Sequence, residues 1–263
     1  MEYIKDFEYH MMWDQYNVVW HDLHKDVNIL VGINGKGKTT LLDAINSYYN
    51  DKFPQSFFKK YGQERIVATP LNCPVIYIQS ADVPAHVKKK GNSMLYDNLM
   101  QVVVQNEHQN SFFNYRMRAL NFPEEANRIG IRIGLLFQEI NSYFKETGKV
   151  ISIEPNTNML VFRDTKDDRV ITLAMLSAGE KQLLLILLTS FLLDEQPAVM
   201  LMDEPELSLH IEWQERLIKS LRKLDKNCQL IVTTHSPSIF ASGWENKITY
   251  IEDLYVDGKP ARE

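Results

Sequence analysis

Cysteine is scarce in this sequence, and long apolar runs are absent from it. The 263 residues include two cysteines, Cys73 and Cys228, which show neither the spacing of a metal motif nor the framework of a disulfide-rich secreted domain. No run of about 18 apolar residues is present to span a bilayer. The N-terminus carries Glu2 and Asp6 and lacks the apolar segment of a signal peptide. We therefore expect a cytoplasmic protein with reduced thiols and no membrane association.

An excess of positive charge is absent as well. The net charge is −5 and the sequence pI is about 5.8, which argues against a basic nucleic-acid binder that acts alone. A local basic groove or a partner could nevertheless bring the chain to DNA or RNA. Neither a separate acidic cluster nor a Cys/His zinc spacing occurs, so the sequence predicts no second catalytic centre.

A glycine-rich stretch lies between a predicted strand, Val27–Val31, and a predicted helix, Thr40–Tyr49. This stretch, Gly32–Thr39, matches the P-loop pattern G-x-x-x-x-G-K-[ST]. Glycines let successive N–H groups turn toward phosphate, and the helix N-terminus adds the positive end of its dipole. Lys38 can reach the β- and γ-phosphates, and the Thr39 hydroxyl can coordinate Mg²⁺. The predicted phosphate-binding residues are Asn34, Gly35, Lys36, Gly37, Lys38, Thr39 and Thr40.

A second apolar strand, Ala198–Met202, ends in the carboxylates of Asp203 and Glu204. In P-loop proteins an aspartate at this place holds Mg²⁺. The glutamate that follows suits a general base that deprotonates an attacking water. Taken alone, the pair could be a solvated acidic turn, but beside a P-loop it indicates a hydrolytic site.

Three further motifs have purely structural explanations when each is taken alone. Ser177 and Glu180 have the spacing of a helix capping box. Gln79 ends one predicted strand, and His235 ends another. Their order along the chain, together with the P-loop and the acidic pair, resembles that of the ABC-type ATPases.

The resemblance implies roles for these motifs. In ABC-type ATPases an L-S-G-G-Q signature covers the γ-phosphate bound by the opposite subunit, although here Ala178 replaces a glycine and Glu180 stands at the glutamine position. Gln79 matches the Q-loop glutamine that contacts Mg²⁺ and the γ-phosphate, and His235 matches the switch histidine. The signature positions, which would act on the other subunit, are Ser177, Ala178, Gly179 and Glu180.

The segment after the acidic pair indicates a branch of this family. Transport ATPases usually place a Thr-Ser-Ala-Leu-Asp-like run after the proline. The Glu-x-x-Leu-His form at Glu206–His210, with Thr234–Pro237 downstream, instead resembles the SMC/RecF/OLD lineage. That lineage includes DNA-repair ATPases and short bacterial ATPases of anti-phage and toxin–antitoxin-like operons. Residues 82–147 lack the heptads of a long coiled-coil arm, and the short sequence after Leu254 is expected to leave no Toprim nuclease.

The expected fold class is α/β: an ABC-type P-loop NTPase with a mostly parallel sheet, an N-terminal antiparallel β part and a helical insertion. The expected parts are an N-terminal core with the P-loop, a helical subdomain, and a C-terminal core with the signature, the acidic pair and the histidine. Their bounds are 1–81, 82–147 and 148–263. Within them the pattern predicts an early strand at Tyr3–Phe7 and one long helix over Leu95–Leu120.

The resemblance implies an ATPase that dimerises around two Mg²⁺-bound ATP molecules and gates a separately encoded effector, in bacterial defence or DNA maintenance. Two alternatives stay open at the level of sequence. One is the nucleotide-binding subunit of a membrane transporter, and the other is an interaction module that binds ATP with negligible turnover. The residue that stacks on adenine is not identified, with Tyr16 and Trp20 as candidates.

Overall fold

The structure, a computed structural model, describes residues 1–50, 65–79, 93–104 and 111–256. Along the chain the strands are β1 (Phe7–Met12), β2 (Tyr16–Trp20), β3 (Val27–Val31), β4 (Ile66–Ala68), β5 (Val75–Ile78), β6 (Lys149–Ile153), β7 (Leu160–Asp164), β8 (Val170–Ile171), β9 (Ala198–Asp203), β10 (Cys228–Thr234), β11 (Ile248–Tyr250) and β12 (Tyr255–Val256). The α-helices are α1 (Lys38–Asn50), α2 (Met94–Val103), α3 (Phe112–Asn121), α4 (Ala126–Phe144), α5 (Ala178–Leu192) and α6 (Ile211–Leu224). Within these described residues, no helix has the length and apolar character needed to cross a membrane.

The chain divides into two compact units. The first is formed by Met1–Ser80, Gln196–Glu206 and Asn227–Glu263. The second is formed by Ala81–Glu195 and Leu207–Lys226. One boundary of these units falls beside the expected boundary after residue 81, and the signature segment shares a unit with the helical region that precedes it.

The first unit is built around a parallel sheet with the strand order β11-β3-β10-β9-β5. Strands β9 and β10 are buried along their whole length, as expected when both faces of a parallel sheet are covered. An antiparallel sheet has the order β12-β2-β1-β4. A hydrophobic core joins the two sheets and α1, and it includes Phe7, Leu42 and Leu201. This architecture confirms the predicted α/β class.

Four parallel strands of this sheet end side by side. Ile78 of β5 pairs with Met202 of β9, and Thr233 of β10 pairs with Asp203 of β9. In open α/β sheets, ligands bind outside the carboxyl ends of the strands. The motifs found in the sequence therefore follow neighbouring strand ends. The first residues after β3, β5, β9 and β10 are Gly32, Gln79, Glu204 and His235.

The second unit is mostly helical, with a small antiparallel sheet of order β6-β7-β8. Helix α5 is buried around most of its circumference. Asp194, which follows α5, accepts hydrogen bonds from the Tyr115 hydroxyl and from the guanidinium groups of Arg118 and Arg128. These bonds connect α3 and α4 to the end of α5.

The predicted strand at Tyr3–Phe7 is wrong. Strand β1 begins at Phe7, where this prediction had placed the end of its strand. The N–H of Ile4 donates to the side-chain oxygen of Gln229 at 2.9 Å. The alternating pattern of this segment therefore reflects the burial of Ile4 and Phe7 and a side-chain hydrogen bond.

The prediction of one helix over Leu95–Leu120 is also wrong. Helix α2 ends at Val103, and α3 starts after Ser111. The Ser111 hydroxyl accepts a hydrogen bond from the N–H of Asn114 at 3.1 Å, which caps the new helix. Residues 105–110, which lie between the two helices in sequence, are outside the described residues.

Candidate active site

The P-loop has a backbone that requires glycine at two positions. Gly35 and Gly37 have φ angles of 81° and 89°, in the left-handed region that side chains disfavour. Gly37 also lies against Trp13, because a Cβ atom at Gly37 would be 2.7 Å from Trp13 Cη2. The loop leads directly into α1, whose first residue is Lys38. A helix N-terminus behind a glycine turn suits the oxygens of a phosphate group.

The Lys38 ammonium is enclosed by protein atoms, and the residue is 5% exposed. Its Nζ donates to the carbonyl oxygen of Gly32 at 2.9 Å and lies 2.5 Å from Nε2 of His235. Burial lowers the pKa of Lys38, while the nearby carboxylates, Glu204 first among them, act in the opposite direction. The P-loop cation therefore lies beside the acids of the site.

A hydroxyl and a carboxylate meet at the start of α1. Thr39 Oγ1 lies 3.0 and 3.1 Å from the two carboxylate oxygens of Asp203. The hydroxyl of Thr233 donates to Asp203 Oδ1 at 2.6 Å. Oxygen ligands of this kind are those that Mg²⁺ prefers, so the residues present fit the metal that a P-loop site implies.

Gln79 follows β5, directly after the residue that pairs with Met202. The register therefore places its backbone next to that of Asp203 on the neighbouring strand. The Gln79 side chain is exposed. The structure thus brings Gln79 to the same edge of the sheet as the predicted metal ligands.

Glu204 has an unusual backbone conformation for a residue with a side chain. Its φ angle is 45°, and its N–H donates to the carbonyl oxygen of Thr233 at 3.1 Å. Positive φ at a residue other than glycine costs free energy and is concentrated at functional sites. The strained turn brings Glu204 Oε1 to 2.9 Å from Nε2 of His235.

One ring nitrogen of His235 contacts both the P-loop lysine and the predicted general base. The same Nε2 atom lies 2.5 Å from Lys38 Nζ and 2.9 Å from Glu204 Oε1. An unprotonated Nε2 accepts a hydrogen bond from the ammonium, whereas a protonated Nε2 donates to the carboxylate. Nε2 cannot do both at once. Whether Nε2 carries a proton therefore determines whether it forms a hydrogen bond with Glu204 or with Lys38.

Sequence reasoning missed several residues of this site. Glu206 is buried, and its Oε1 accepts a hydrogen bond from the N–H of His235 at 3.0 Å. Burial raises the pKa of Glu206, and the Thr234 hydroxyl bonded to it acts in the opposite direction. Its place in the Glu-x-x-Leu-His form was an available signal. Thr233, which binds Asp203 and Glu204, had none.

A further carboxylate lies near Asp203. Asp43 comes one turn after Thr39 in α1, and it accepts a hydrogen bond from the hydroxyl of Tyr77. Burial raises the pKa of Asp43, and the negative charge of Asp203 adds to this effect. Its helical spacing from Thr39 was the signal that sequence analysis did not use.

The signature segment begins α5 in the second unit. Ser177 and Glu180 form a complete capping box, with the Ser177 N–H donating to Glu180 Oε2 at 2.8 Å. Burial raises the pKa of Glu180, but the Lys149 ammonium, 2.5 Å away, and the Ser177 N–H outweigh it and lower the pKa overall. Glu180 is therefore bound within its own unit, while Ser177 and Ala178 are exposed.

Of the two candidates for adenine stacking, Trp20 is 3% exposed and lies in the hydrophobic core. Its ring is therefore not available to a nucleotide in this structure. Tyr16 is 45% exposed, and its ring centroid lies 5.1 Å from that of Tyr255.

Residues 92–241 match the family described as "AAA domain, putative AbiEii toxin, Type IV TA system". The match covers more than half of the chain. The chain belongs to this AAA-domain family. The matched span contains the signature segment, the acidic pair and His235, and the P-loop precedes it.

Two curated relatives are retron proteins. The "Retron Vc95 probable ATPase" of Vibrio cholerae serotype O1 biovar El Tor is 29% identical over 131 residues, which cover 44% of this chain and 24% of the relative. The "Retron Ec83 probable ATPase" of Escherichia coli is 27% identical over 146 residues, which cover 56% of this chain and 26% of the relative. The AAA-domain chain thus spans about a quarter of the length of these relatives.

Solved structures support the fold. An SMC head bound to the C-terminal winged-helix domain of ScpA matches with a TM-score of 0.57 at 14% identity, covering 91% of this chain and 92% of that chain. Stu0660 of Streptococcus thermophilus matches with a TM-score of 0.55 at 13% identity, covering 95% of this chain and 75% of that chain. Together with the family match, they confirm the predicted SMC- and ABC-like lineage.

Proposed function

We propose that this chain binds ATP at the carboxyl ends of β3, β5, β9 and β10 and hydrolyses it to ADP and phosphate. The observation that carries the proposal is the convergence of Lys38 and Glu204 on one ring nitrogen of His235. A P-loop lysine, a carboxylate and a histidine at one strand edge form the set that phosphoryl transfer to water requires.

Phosphate binding is assigned to the N–H groups of the P-loop and to Lys38. In this structure the ammonium is bound by the Gly32 carbonyl and by His235, so the phosphates of ATP replace at least part of these contacts. Thr39 and Asp203 would hold Mg²⁺, with Gln79 beside them. When bound, the metal neutralises charge on the phosphates.

The hydrolytic step uses Glu204 as the general base. Glu204 takes a proton from water as the water oxygen bonds to the γ-phosphorus. The bond from that phosphorus to the β,γ-bridging oxygen breaks, and its electron pair leaves with ADP. Lys38 balances the negative charge on the transferred group, and His235 contacts the γ-phosphate. The positive φ of Glu204 supports its role as the base, because such backbone strain is concentrated at functional sites.

We propose that the signature segment of one chain acts on the ATP bound by a second copy of the chain. Ser177 and Ala178 are exposed at the N-terminus of α5, where a helix dipole favours an anion. In the proposed dimer these residues cover the γ-phosphate bound by the partner copy, and hydrolysis then lets the two copies separate. The same dimer would gate a separately encoded effector. The family description, which names a toxin–antitoxin system, and the retron relatives support a role in bacterial defence.

Steady-state phosphate release tests the proposal. We expect Glu204→Gln to lower turnover about 100-fold or more, as for loss of a general base, and to leave ATP binding intact. Lys38→Ala should remove ATP binding. Glu124→Gln, the same change at an exposed position, is the control and should match the wild type.

Two outcomes count against the proposal. Turnover that survives in Glu204→Gln would show that this carboxylate is not the base. The second outcome is a wild-type protein that binds ATP but releases phosphate no faster than Lys38→Ala. This result would favour an interaction module that binds ATP without hydrolysing it.

A further inference from the structure

Glu206 is a buried carboxylate whose oxygen is bound by the turn that carries His235. The residue is 6% exposed. Its Oε1 accepts hydrogen bonds from the Thr234 hydroxyl, from the His235 N–H at 3.0 Å and from the Ser236 N–H at 3.4 Å. Three donors from consecutive residues therefore meet on one oxygen atom.

Two of these donors, the N–H groups of His235 and Ser236, lie beyond the last residue of β10. The ladder between β9 and β10 ends at the pair Asp203 and Thr233. The N–H groups of His235 and Ser236 come after this pair. The N–H of His235 donates to Glu206 at 3.0 Å, while that of Ser236 also donates to the Thr234 hydroxyl at 2.9 Å. Beyond the paired strands, Glu206 supplies the acceptor for the N–H of His235. It therefore connects the segment that follows β9 to the segment that follows β10.

The acidic turn thus carries two carboxylates with different contacts. Glu204 contacts the ring of His235 at 2.9 Å, and Glu206 contacts the backbone of the same residue at 3.0 Å. Pro205, which is buried between them, restricts the backbone of the turn. The histidine is therefore fixed at both its backbone and its ring by a three-residue segment.

We propose that Glu206 is a positioning residue that sets His235 in place for ATP hydrolysis, an inference that rests on the function proposed above. Without the Glu206 carboxylate, the turn at His235 loses its acceptor and the ring moves relative to Lys38 and Glu204. Misplacement of a catalytic group by about 1 Å can lower a rate about 100-fold. Three hydrogen bonds connect Glu206 to the Thr234–Ser236 turn, and its negative charge also acts to raise the pKa of Lys38. We therefore expect a substitution of Glu206 to affect kcat more strongly than nucleotide binding.

The test compares Glu206→Leu, which removes the acceptor, with Glu206→Gln, which keeps one acceptor oxygen. We expect Glu206→Leu to lower kcat about 10- to 100-fold and to change KM for ATP by less than about threefold. Glu206→Gln should restore kcat to within about threefold of the wild type. Glu124→Leu, at an exposed glutamate, controls for the loss of a carboxylate.

A second measurement does not depend on activity. Amide hydrogen exchange of His235, followed by NMR, should be about tenfold faster in Glu206→Leu, the equivalent of one net hydrogen bond. If that variant does not fold, Thr234→Val replaces it, because valine removes one donor to the same oxygen and should lower kcat and speed the same exchange.

Each result separates the two proposals. An unchanged kcat in Glu206→Leu overturns the positioning role. An affinity for ATP that falls by the same factor as kcat also overturns it. If the wild type releases no phosphate, the proposed function fails. Exchange at His235 then shows whether Glu206 holds the turn, and unchanged exchange overturns that role.

Discussion

Gly179 makes the closest backbone approach of the signature segment. A Cβ atom at this position would lie 2.2 Å from the carbonyl oxygen of Ser208, within the second unit. Because the obstacle is a backbone atom, the side chain could be accommodated only if one segment shifted. Gly130 in α4 offers a matched contrast, since a Cβ atom there has no heavy atom within 4 Å.

We expect Gly179→Ala to lower the free energy of unfolding by about 1–3 kcal/mol, as overpacking does. Gly130→Ala should raise it by about 0.5–1 kcal/mol, because alanine is the better helix former. Denaturant unfolding of both variants measures the difference. Equal stabilities for the two variants would show that Ser208 can move away and that the contact is not rigid.

Residues with their own motif could be predicted from the sequence, and those defined by their neighbours could not. Lys38, Asp203 and Glu204 belong to patterns in which residue type and spacing carry the chemistry. Thr233 takes part because β9 and β10 end side by side. That adjacency joins residues about 30 positions apart and has no local signal in the sequence.

At the scale of elements, the C-terminal segment holds the P-loop at two points. A Cβ atom at Gly32, where the loop begins, would lie 2.3 Å from Cγ2 of Ile251. The hydroxyl of Tyr255 donates to the carbonyl oxygen of Lys36 within the loop. Strand β12 is in turn paired with β2, with Tyr255 opposite Val18. The last described strand therefore restrains the loop that is assigned to phosphate binding.

Removal of this hydroxyl should weaken nucleotide binding. We expect Tyr255→Phe to raise the Kd for ATP about 3- to 10-fold, the effect of one net hydrogen bond, because the free loop becomes less ordered. The value of kcat should change little, since Glu204 and His235 lie on other strand ends. Calorimetric titration measures the Kd, and Tyr250→Phe, at an exposed position of β11, is the control. Equal Kd values for both variants would contradict a role for the Tyr255 hydroxyl.

Elements with an unbroken apolar pattern were predictable. Strands β3 and β9 lie within about a residue of their expected positions, because burial on both faces leaves a continuous apolar run. Strands β4 and β12 were not predicted. They have three and two residues, and they lie at the edges of the antiparallel sheet, where one partner strand decides whether pairing occurs.

At the scale of the whole molecule, the sequence predicts the fold class but not the division into units. Alternation of strands and helices predicts an α/β sheet, and the order of motifs predicts the lineage. The second unit is made of two stretches, Ala81–Glu195 and Leu207–Lys226. Contacts between distant stretches assemble it, so no composition shift marks its bounds. The chain leaves the first unit directly after Glu206.

Oligomeric state is the prediction that belongs to the whole molecule. With saturating Mg·ATP, Glu204→Gln should bind ATP without hydrolysing it and should elute at about twice the chain mass of 30.7 kDa in light-scattering chromatography. The same variant without nucleotide should be a monomer, because the proposed dimer is held together through the bound phosphates.

One substitution separates the signature contact from other causes of dimerisation. Ser177→Asp, added to Glu204→Gln, keeps a residue that can cap α5 and adds a negative charge at an exposed position. We expect this double variant to bind ATP and to stay a monomer, because the added charge repels the γ-phosphate of the partner copy. Ser177→Thr in the same Glu204→Gln background also caps the helix but adds no charge, so this protein should still dimerise. A Glu204→Gln protein that remains a monomer at saturating Mg·ATP, or a Ser177→Asp double variant that dimerises normally, would remove the signature segment from the proposed ATPase site.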